Sequence, residues 1–301
     1  RGMSAALLPL VVAVLGVVAS FSIPEPCDVE TAYHCARVVP DPIRDTGRTL
    51  QLDTLPHSYV DLADPTYLQY SYIRAFASVV DAVRAPGEAL SALHLGGGGL
   101  TFPRYLAETR PGADSLVLEI DGGVIDLDVA ELGLRLGRGI QVDVQDARVG
   151  LAAQPARRRD VVVGDAFGGL AVPWHLTTRE TVADIRRVLR PDGLYMVNVI
   201  DYPPLSFARA KVATVAALFR HVAVVARPSV LDGQDGGNLV IVGSNRPLPT
   251  DAIGAQLQSR APELDLIFRE GQITSFAGGA RVLTDDFAPV DQLVTPFAKR
   301  S

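Results

Sequence analysis

Cysteine is nearly absent. The 301 residues hold two, Cys27 and Cys35, with only His34 close by. A structural metal site takes four ligands, so no metal is expected. An excess of positive charge is missing too: Lys and Arg number 28 against 34 Asp and Glu, giving a net charge of −6 and a pI near 5.4. A nucleic-acid-binding domain shows the opposite balance, so no nucleic acid is expected as the main partner. The run Arg157–Arg159 reads as a solvated loop before a strand. Internal repeats and low-complexity segments are likewise lacking. What remains is 48% hydrophobic, which suits a globular enzyme plus one membrane segment.

That segment is Ser4 to Ile23, 20 residues without a charge. A helix of that length spans about 30 Å, one bilayer core. The expectation is a membrane anchor through residues 4–23, single-pass or the last helix of a longer membrane domain, since the chain begins at Arg1 rather than Met. A cleaved signal peptide is the rival, with Val18-Ala19-Ser20 as its cleavage site. Arg1 precedes the segment and Glu25, Asp28 and Glu30 follow it, so the positive-inside tendency puts the globular part outside the cytoplasm, at the cell membrane. In that compartment Cys27 and Cys35 are expected to pair; in the cytoplasm they would stay reduced. The division expected is 1–24 anchor or signal segment, 25–63 linker with the Cys pair and a β-meander, and 64–301 a nucleoside-binding catalytic domain.

Short strands near Ala36–Val39, Arg48–Asp53 and His57–Leu62, punctuated by Pro and Gly, form the meander. Asp64-Pro65-Thr66 reads as the start of a helix running to Val83. From Leu90, apolar strands alternate with helical stretches, which means a parallel sheet with crossover helices. The last two strands, Val222–Ala226 and Asn238–Val242, have no helix between them and are expected to pair antiparallel.

Ala92–Leu95 runs into Gly96-Gly97-Gly98-Gly99, and the following apolar runs end in Glu119-Ile120-Asp121, Asp146 and Asp165. Acidic residues at successive strand ends are what a doubly wound sheet presents at its carboxyl edge, and one about 20 positions after a Gly turn is placed to hold ribose hydroxyls. The glycines let backbone come close to a ligand. A dinucleotide fingerprint would carry a third glycine where Thr101 stands, which disfavours an NAD-dependent dehydrogenase.

With those residues in view, the chain resembles the spermidine/spermine synthase family, aminopropyltransferases built on the Rossmann-like α/β fold of S-adenosylmethionine-dependent methyltransferases. The resemblance runs from about Arg48 to Leu293 and rests on Leu52-Asp53, Leu95-Gly96-Gly97-Gly98, Glu119-Ile120-Asp121, Gln145-Asp146-Ala147 and Asp160-Val-Val-Val-Gly-Asp165. Asp165-Ala-Phe-Gly-Gly, Val172-Pro-Trp-His-Leu-Thr-Thr178 and Thr284-Asp-Asp-Phe-Ala-Pro-Val290 look like its membrane-attached bacterial branch. The resemblance implies decarboxylated S-adenosylmethionine or S-adenosylmethionine as co-substrate. Gly96, Gly97, Gly98, Glu119, Asp121 and Asp146 would bind it, Glu119 at the ribose and Asp146 at the adenine amine. Asp165 would be the catalytic base, and Tyr67, His57 and Trp174 would face a small-molecule amine. A homodimer is expected because the family is often dimeric. Two family carboxylates are replaced here, by Gly99 and Gly168; Trp174, Asp201, Asp285 or Asp286 would have to stand in for them.

Blander readings accompany these. Asp146 also suits a helix N-cap, Asp165 a turn, His57 and His94 satisfied strand histidines, and Asp285-Asp286 a turn with a salt bridge. Three functions remain: an aminopropyltransferase, a methyltransferase using intact S-adenosylmethionine with Gly99 leaving room for its carboxylate, and a non-catalytic nucleoside-binding domain of a membrane protein.

Overall fold

A computed structural model describes residues 27–169 and 171–295. The expected membrane segment, residues 4–23, lies outside them; among the described residues no helix is long and apolar enough to cross a membrane.

The chain opens with a four-stranded antiparallel meander, β1 (Val29–Glu30), β2 (Cys35–Pro40), β3 (Gly47–Leu52) and β4 (Leu55–Asp61), in spatial order β1-β2-β3-β4. Cys27 and Cys35 form a disulfide across the first turn, with Cα atoms 5.2 Å apart. The inner face of the meander, Ala36, Leu50, Leu52 and Val60, packs on Val124, Leu127 and Leu132 of the following domain.

Helix α1 spans Ser71–Val83. Its apolar residues Ile73, Phe76, Ala77 and Val80 recur at helical spacing and are buried on one stripe. The expected start at Thr66 is a correction. The Asp64 carboxylate accepts from the Thr66 backbone and hydroxyl, and Tyr67 N donates to Asp64 O, so the segment closes a turn before the helix begins.

Alternation then follows as expected: β5 (Ser91–Leu95), α2 (Thr101–Thr109), β6 (Asp114–Glu119), α3 (Gly122–Glu131), β7 (Ile140–Val144), α4 (Ala147–Ala153) and β8 (Arg159–Gly164). After a 3₁₀ turn at Trp174–Leu176 come α5 (Arg179–Val188), β9 (Leu189–Asp201), α6 (Ser206–Ala216), β10 (His221–Ala226), α7 (Pro228–Leu231) and β11 (Gly237–Ser244). The tail holds α8 (Thr250–Arg260), β12 (Asp265–Ile267), α9 (Glu270–Ala277) and α10 (Val290–Leu293). β12 and α9 are additions to the expectation. Three residues, Asp-Leu-Ile, carry too little alternation to announce a strand, and β12 exists through its pairing with β10.

The main sheet has the order β12-β10-β11-β9-β8-β5-β6-β7. β9, β8, β5, β6 and β7 are parallel neighbours, and β11 and β10 add antiparallel as expected. One face buries Leu93, Val162 and Tyr195 under α5, α6 and α9; the other buries Val161, Val163 and Met196 under α1 and α8. From β5 the chain steps outward to β6 and β7, then returns to the other side for β8 and β9. That reversal opens a crevice at the carboxyl ends of β5 and β8, where open α/β sheets take their ligands.

Candidate active site

Register alone assembles the site. Leu95 lies opposite both Leu118 and Gly164, so the next residues on the three strands, Gly96, Glu119 and Asp165, emerge level with one another. Glu119 lies opposite Val144, which puts Asp146 just beyond it, and Gly164 lies opposite Val197, which puts Asn198 beside Asp165. Ile200 lies opposite Asn238 on β11. Two cavities fill this edge, and they meet at His57, Asp165 and Phe167.

The first, about 640 Å³ including its open mouth, is lined by Gly96, Gly98, Glu119, Ile120 and Asp146 among others. Glu119 is held from both sides: Oε2 accepts from Gly97 N at 2.6 Å and Oε1 from Asp121 N at 2.9 Å. Asp146 caps α4, its Oδ1 accepting from Arg148 N at 2.8 Å and Val149 N at 3.1 Å. Its Oδ2 lies 3.1 Å from His175 Nε2. Cap and cavity-lining roles therefore coexist in one side chain. Ile120, Leu118, Ala147 and Leu176 supply apolar walls suited to a planar base.

The wall around His175 is braced from behind. Arg148 Nη1 donates to His175 O at 2.8 Å, while its Nη2 pairs with Asp285 Oδ2 at 2.9 Å. Lys211, fully buried, donates to the carbonyls of Leu176 and Thr177 at 3.3 and 3.2 Å. Burial pulls its ammonium down to about 7.

The second cavity, about 690 Å³, is lined by Tyr70, Tyr72, Asn198, Ile200 and Asn238 together with the three shared residues and others. Asp165 Oδ1 accepts from Asn198 Nδ2 at 3.0 Å, Asn198 Oδ1 accepts from Asn238 Nδ2 at 3.0 Å, and Tyr72 also hydrogen-bonds Asp165. Burial pushes the Asp165 carboxyl up to about 6, against the pull of the bonds from Asn198 and Tyr72. The Tyr72 hydroxyl is held well above the usual phenol range by burial and by the adjacent Asp165 charge. His57 is pulled down to about 4, chiefly by burial, and its Nδ1 has no partner. At neutral pH it is an uncharged ring set edge-on to Phe167, with centroids 6.4 Å apart.

Several expected site residues sit elsewhere. Tyr67 lines neither cavity: its ring lies under the Arg44 guanidinium at 3.9 Å and its hydroxyl donates to Gln69 Oε1 at 2.6 Å. Tyr70 and Tyr72, on the far side of the unexpected turn, occupy the chamber instead. Asp121 is buried as the cap of α3, accepting from Gly123 N at 3.0 Å and bonded to Thr31 of the meander. Trp174 is half exposed, edge-on to His175, and outside both linings. Gly97 reaches the first cavity only through its bond to Glu119.

Gly96 and Gly98 line the first cavity and serve the fold as well. A Cβ at Gly96 (φ +95°) would lie 2.6 Å from Asp165 O, and one at Gly98 (φ +50°) 2.6 Å from Ser58 Oγ. These glycines let the protein's own strands converge. A Cβ at Gly99 would face Ser58 and Val60 of β4, so a side chain there would point into the meander and away from both cavities. Gly168 is exposed, Asp201 accepts from the backbone of Tyr202, Ala208 and Thr295, and Asp286 is exposed in the turn after Asp285. None of these acids enters the second cavity. Among the described residues no cluster of His, Cys, Asp and Glu is arranged to hold a metal.

No family model matches the chain. Among curated proteins, it is 28% identical over 215 residues to a polyamine aminopropyltransferase of Vibrio vulnificus, covering 67% of this chain and 69% of that one. It is 27% identical over 216 residues to an N-terminal histidine N-methyltransferase of Emericella nidulans, covering 65% of this chain but 38% of that one. Among solved structures, a probable spermidine synthase from Corynebacterium glutamicum superposes with a TM-score of 0.79 at 28% identity, over 87% of this chain and 97% of that one.

Proposed function

We propose that the chain is a polyamine aminopropyltransferase of the spermidine synthase type, moving an aminopropyl group from decarboxylated S-adenosylmethionine to an amine. One observation carries this reading. The first cavity is lined by three carboxylates, Glu119, Asp146 and Asp165, and among the described residues neither its lining nor that of the second includes a Lys or Arg. Decarboxylated S-adenosylmethionine is a dication, with a sulfonium and an ammonium. The intact form adds a carboxylate that would meet like charge and, among the described lining residues, no Lys or Arg.

In this reading Glu119 accepts from the ribose hydroxyls and Asp146 from the purine amine. The sulfonium carbon lies toward Asp165, where the two cavities join. An amine with a pKa near 10 enters as its ammonium. It gives one proton to the Asp165 carboxylate, and the freed lone pair attacks the methylene carbon of the aminopropyl group. A C–N bond forms, the C–S bond breaks, sulfur leaves with the bonding pair as the neutral thioether of methylthioadenosine, and the positive charge passes to the nitrogen, now a secondary ammonium. Proximity and proton removal together supply the rate. His57, neutral and wedged between the cavities, keeps a second positive charge from opposing the sulfonium.

We further propose that residues 4–23 attach the protein to the cell membrane, as in the membrane-attached branch, with the globular part outside. The Cys27–Cys35 disulfide supports that compartment, since such bonds persist where the surroundings are oxidising. A homodimer is proposed from the family resemblance.

Calorimetric titration tests the site. Decarboxylated S-adenosylmethionine is expected to bind about tenfold or more tighter than the intact form, a difference of about 1.4 kcal/mol. Tighter binding of the intact form would favour the methyltransferase. Binding of neither, nor of methylthioadenosine, would leave a domain without the chemistry.

A further inference from the structure

The second cavity is built for a single positive charge. It adjoins the nucleoside cleft at His57, Asp165 and Phe167, and Asp165 is the one carboxylate among the described residues that line it. The rest of its surface is aromatic, aliphatic or uncharged: Tyr70 and Tyr72 stacked with centroids 6.1 Å apart, then Ile200, Asn198 and Asn238. The amide of Asn198 is committed on both sides, donating to Asp165 at 3.0 Å and accepting from Asn238 at 3.0 Å. The acids outside it are spent on the fold: Asp201 on backbone amides and Asp285 on Arg148 and Thr178.

Charge balance then limits the acceptor. A monoamine enters as a monocation and forms one neutral pair with Asp165. Once the proton has moved to Asp165, a monoamine carries no charge until its nitrogen bonds to carbon, and then takes up only the one positive charge that the sulfonium gives up as it becomes a neutral thioether. A diamine keeps its distal ammonium throughout, in a pocket whose sole carboxylate has just been neutralised. An ion left unpaired in a partly buried site is costly.

Resting on the aminopropyl-transfer reading, we propose that the acceptor is a primary monoamine with an uncharged apolar or hydroxylated body, and that diamines are selected against. The aromatic pair and Ile200 would pack along that body, and the Asn238 amide, next to Ile200 across the strands, would meet a terminal hydroxyl.

The test is a competition on the full chain with decarboxylated S-adenosylmethionine, reading release of methylthioadenosine. The amines are diaminobutane, pentylamine (a methyl in place of the distal ammonium) and aminobutanol (a hydroxyl in its place). The better monoamine is expected to exceed the diamine in kcat/KM by about tenfold or more. A smaller preference, or a preference for the diamine, overturns the proposal.

If no amine turns over, the transferase reading itself fails, and calorimetry of the same amines on the methylthioadenosine-loaded protein decides the matter. Monoamine preference there upholds the single-charge pocket, and its absence overturns it. Ile200→Asp supplies a gain-of-function arm. Ile200 is two residues beyond Asn198 on β9, roughly 6.6 Å along a strand, and a carboxylate there is expected to raise diamine use relative to pentylamine by about tenfold. A folded Ile200→Asp protein, checked by thermal melting, that leaves the ratio unchanged counts against the proposal.

Discussion

Replacing Asp165 by Asn removes the proton acceptor while keeping an oxygen for the Asn198 amide. Two consequences of opposite sign follow from the same buried carboxyl. For activity, the group must be ionised, and burial puts it at about 6. The wild-type kcat/KM is therefore expected to rise with pH on a single-proton limb centred near 6, so that at pH 5 about a tenth of the plateau remains. Asp165→Asn should lose about 10²- to 10⁴-fold at pH 7.5, the usual range for a positioned general base, and should lose the limb as well. For stability, the folded value lies above the ordinary 3.8, so the native state binds more protons than the unfolded chain between those two values. The favourable contribution of the protonated group is complete below about pH 4 and is lost as pH rises through about 6. The gap corresponds to on the order of 3 kcal/mol. Asp165→Asn, which does not titrate, should therefore gain on the wild type between pH 4 and pH 7.5 by up to that amount, read by urea denaturation at both values. Activity within tenfold of wild type, or a wild-type profile flat from pH 5 to 7, would refute the assignment of Asp165 as the base.

Two further substitutions probe what holds the site. Tyr72→Phe removes a hydrogen bond that favours the ionised form of Asp165, so the acidic limb of kcat/KM should move to higher pH while the plateau persists. Gly98→Ala forces a left-handed backbone on an L side chain and sets a methyl 2.6 Å from Ser58 Oγ; urea denaturation should show a loss of about 2 to 3 kcal/mol, with nucleoside affinity falling as β4 is pushed away.

How much of this was legible in the sequence depends on which contacts make each feature. Glu119, Asp146 and Asp165 end apolar runs, and a parallel sheet brings strand ends to one edge whatever the loops do. Reading the strands was therefore enough to find them. Tyr67 was misplaced because Asp64-Pro65-Thr66 has the composition of a helix start and folds as a side-chain-closed turn, which delays α1 to Ser71 and brings Tyr70 and Tyr72 forward. Asn198 and Asn238 are polar residues inside strands. Their role appears only from the antiparallel addition of β11 to β9, a long-range pairing without a local signal. Asp121 is placed by its motif among the ligands and is buried as the cap of α3, accepting from Gly123 N, with a second bond from Thr31, 90 residues away in the chain, that no local pattern shows.

The three lining carboxylates differ in what holds them, and this separates binding from proton transfer. Glu119 and Asp146 each accept from two backbone amides. Those donors cannot leave without breaking the Gly turn or the first turn of α4, so both groups stay fixed in position, as ribose and base recognition requires. Asp165 accepts only from side chains, Asn198 and Tyr72, and is pushed up by burial to about 6. That leaves the carboxylate at the junction of the two cavities close enough to neutrality to take a proton and give it back at physiological pH. The same construction confines the acceptor: a base neutralised at the moment of attack cannot also hold a second charge, so a pocket relying on one such group accepts one cation at a time.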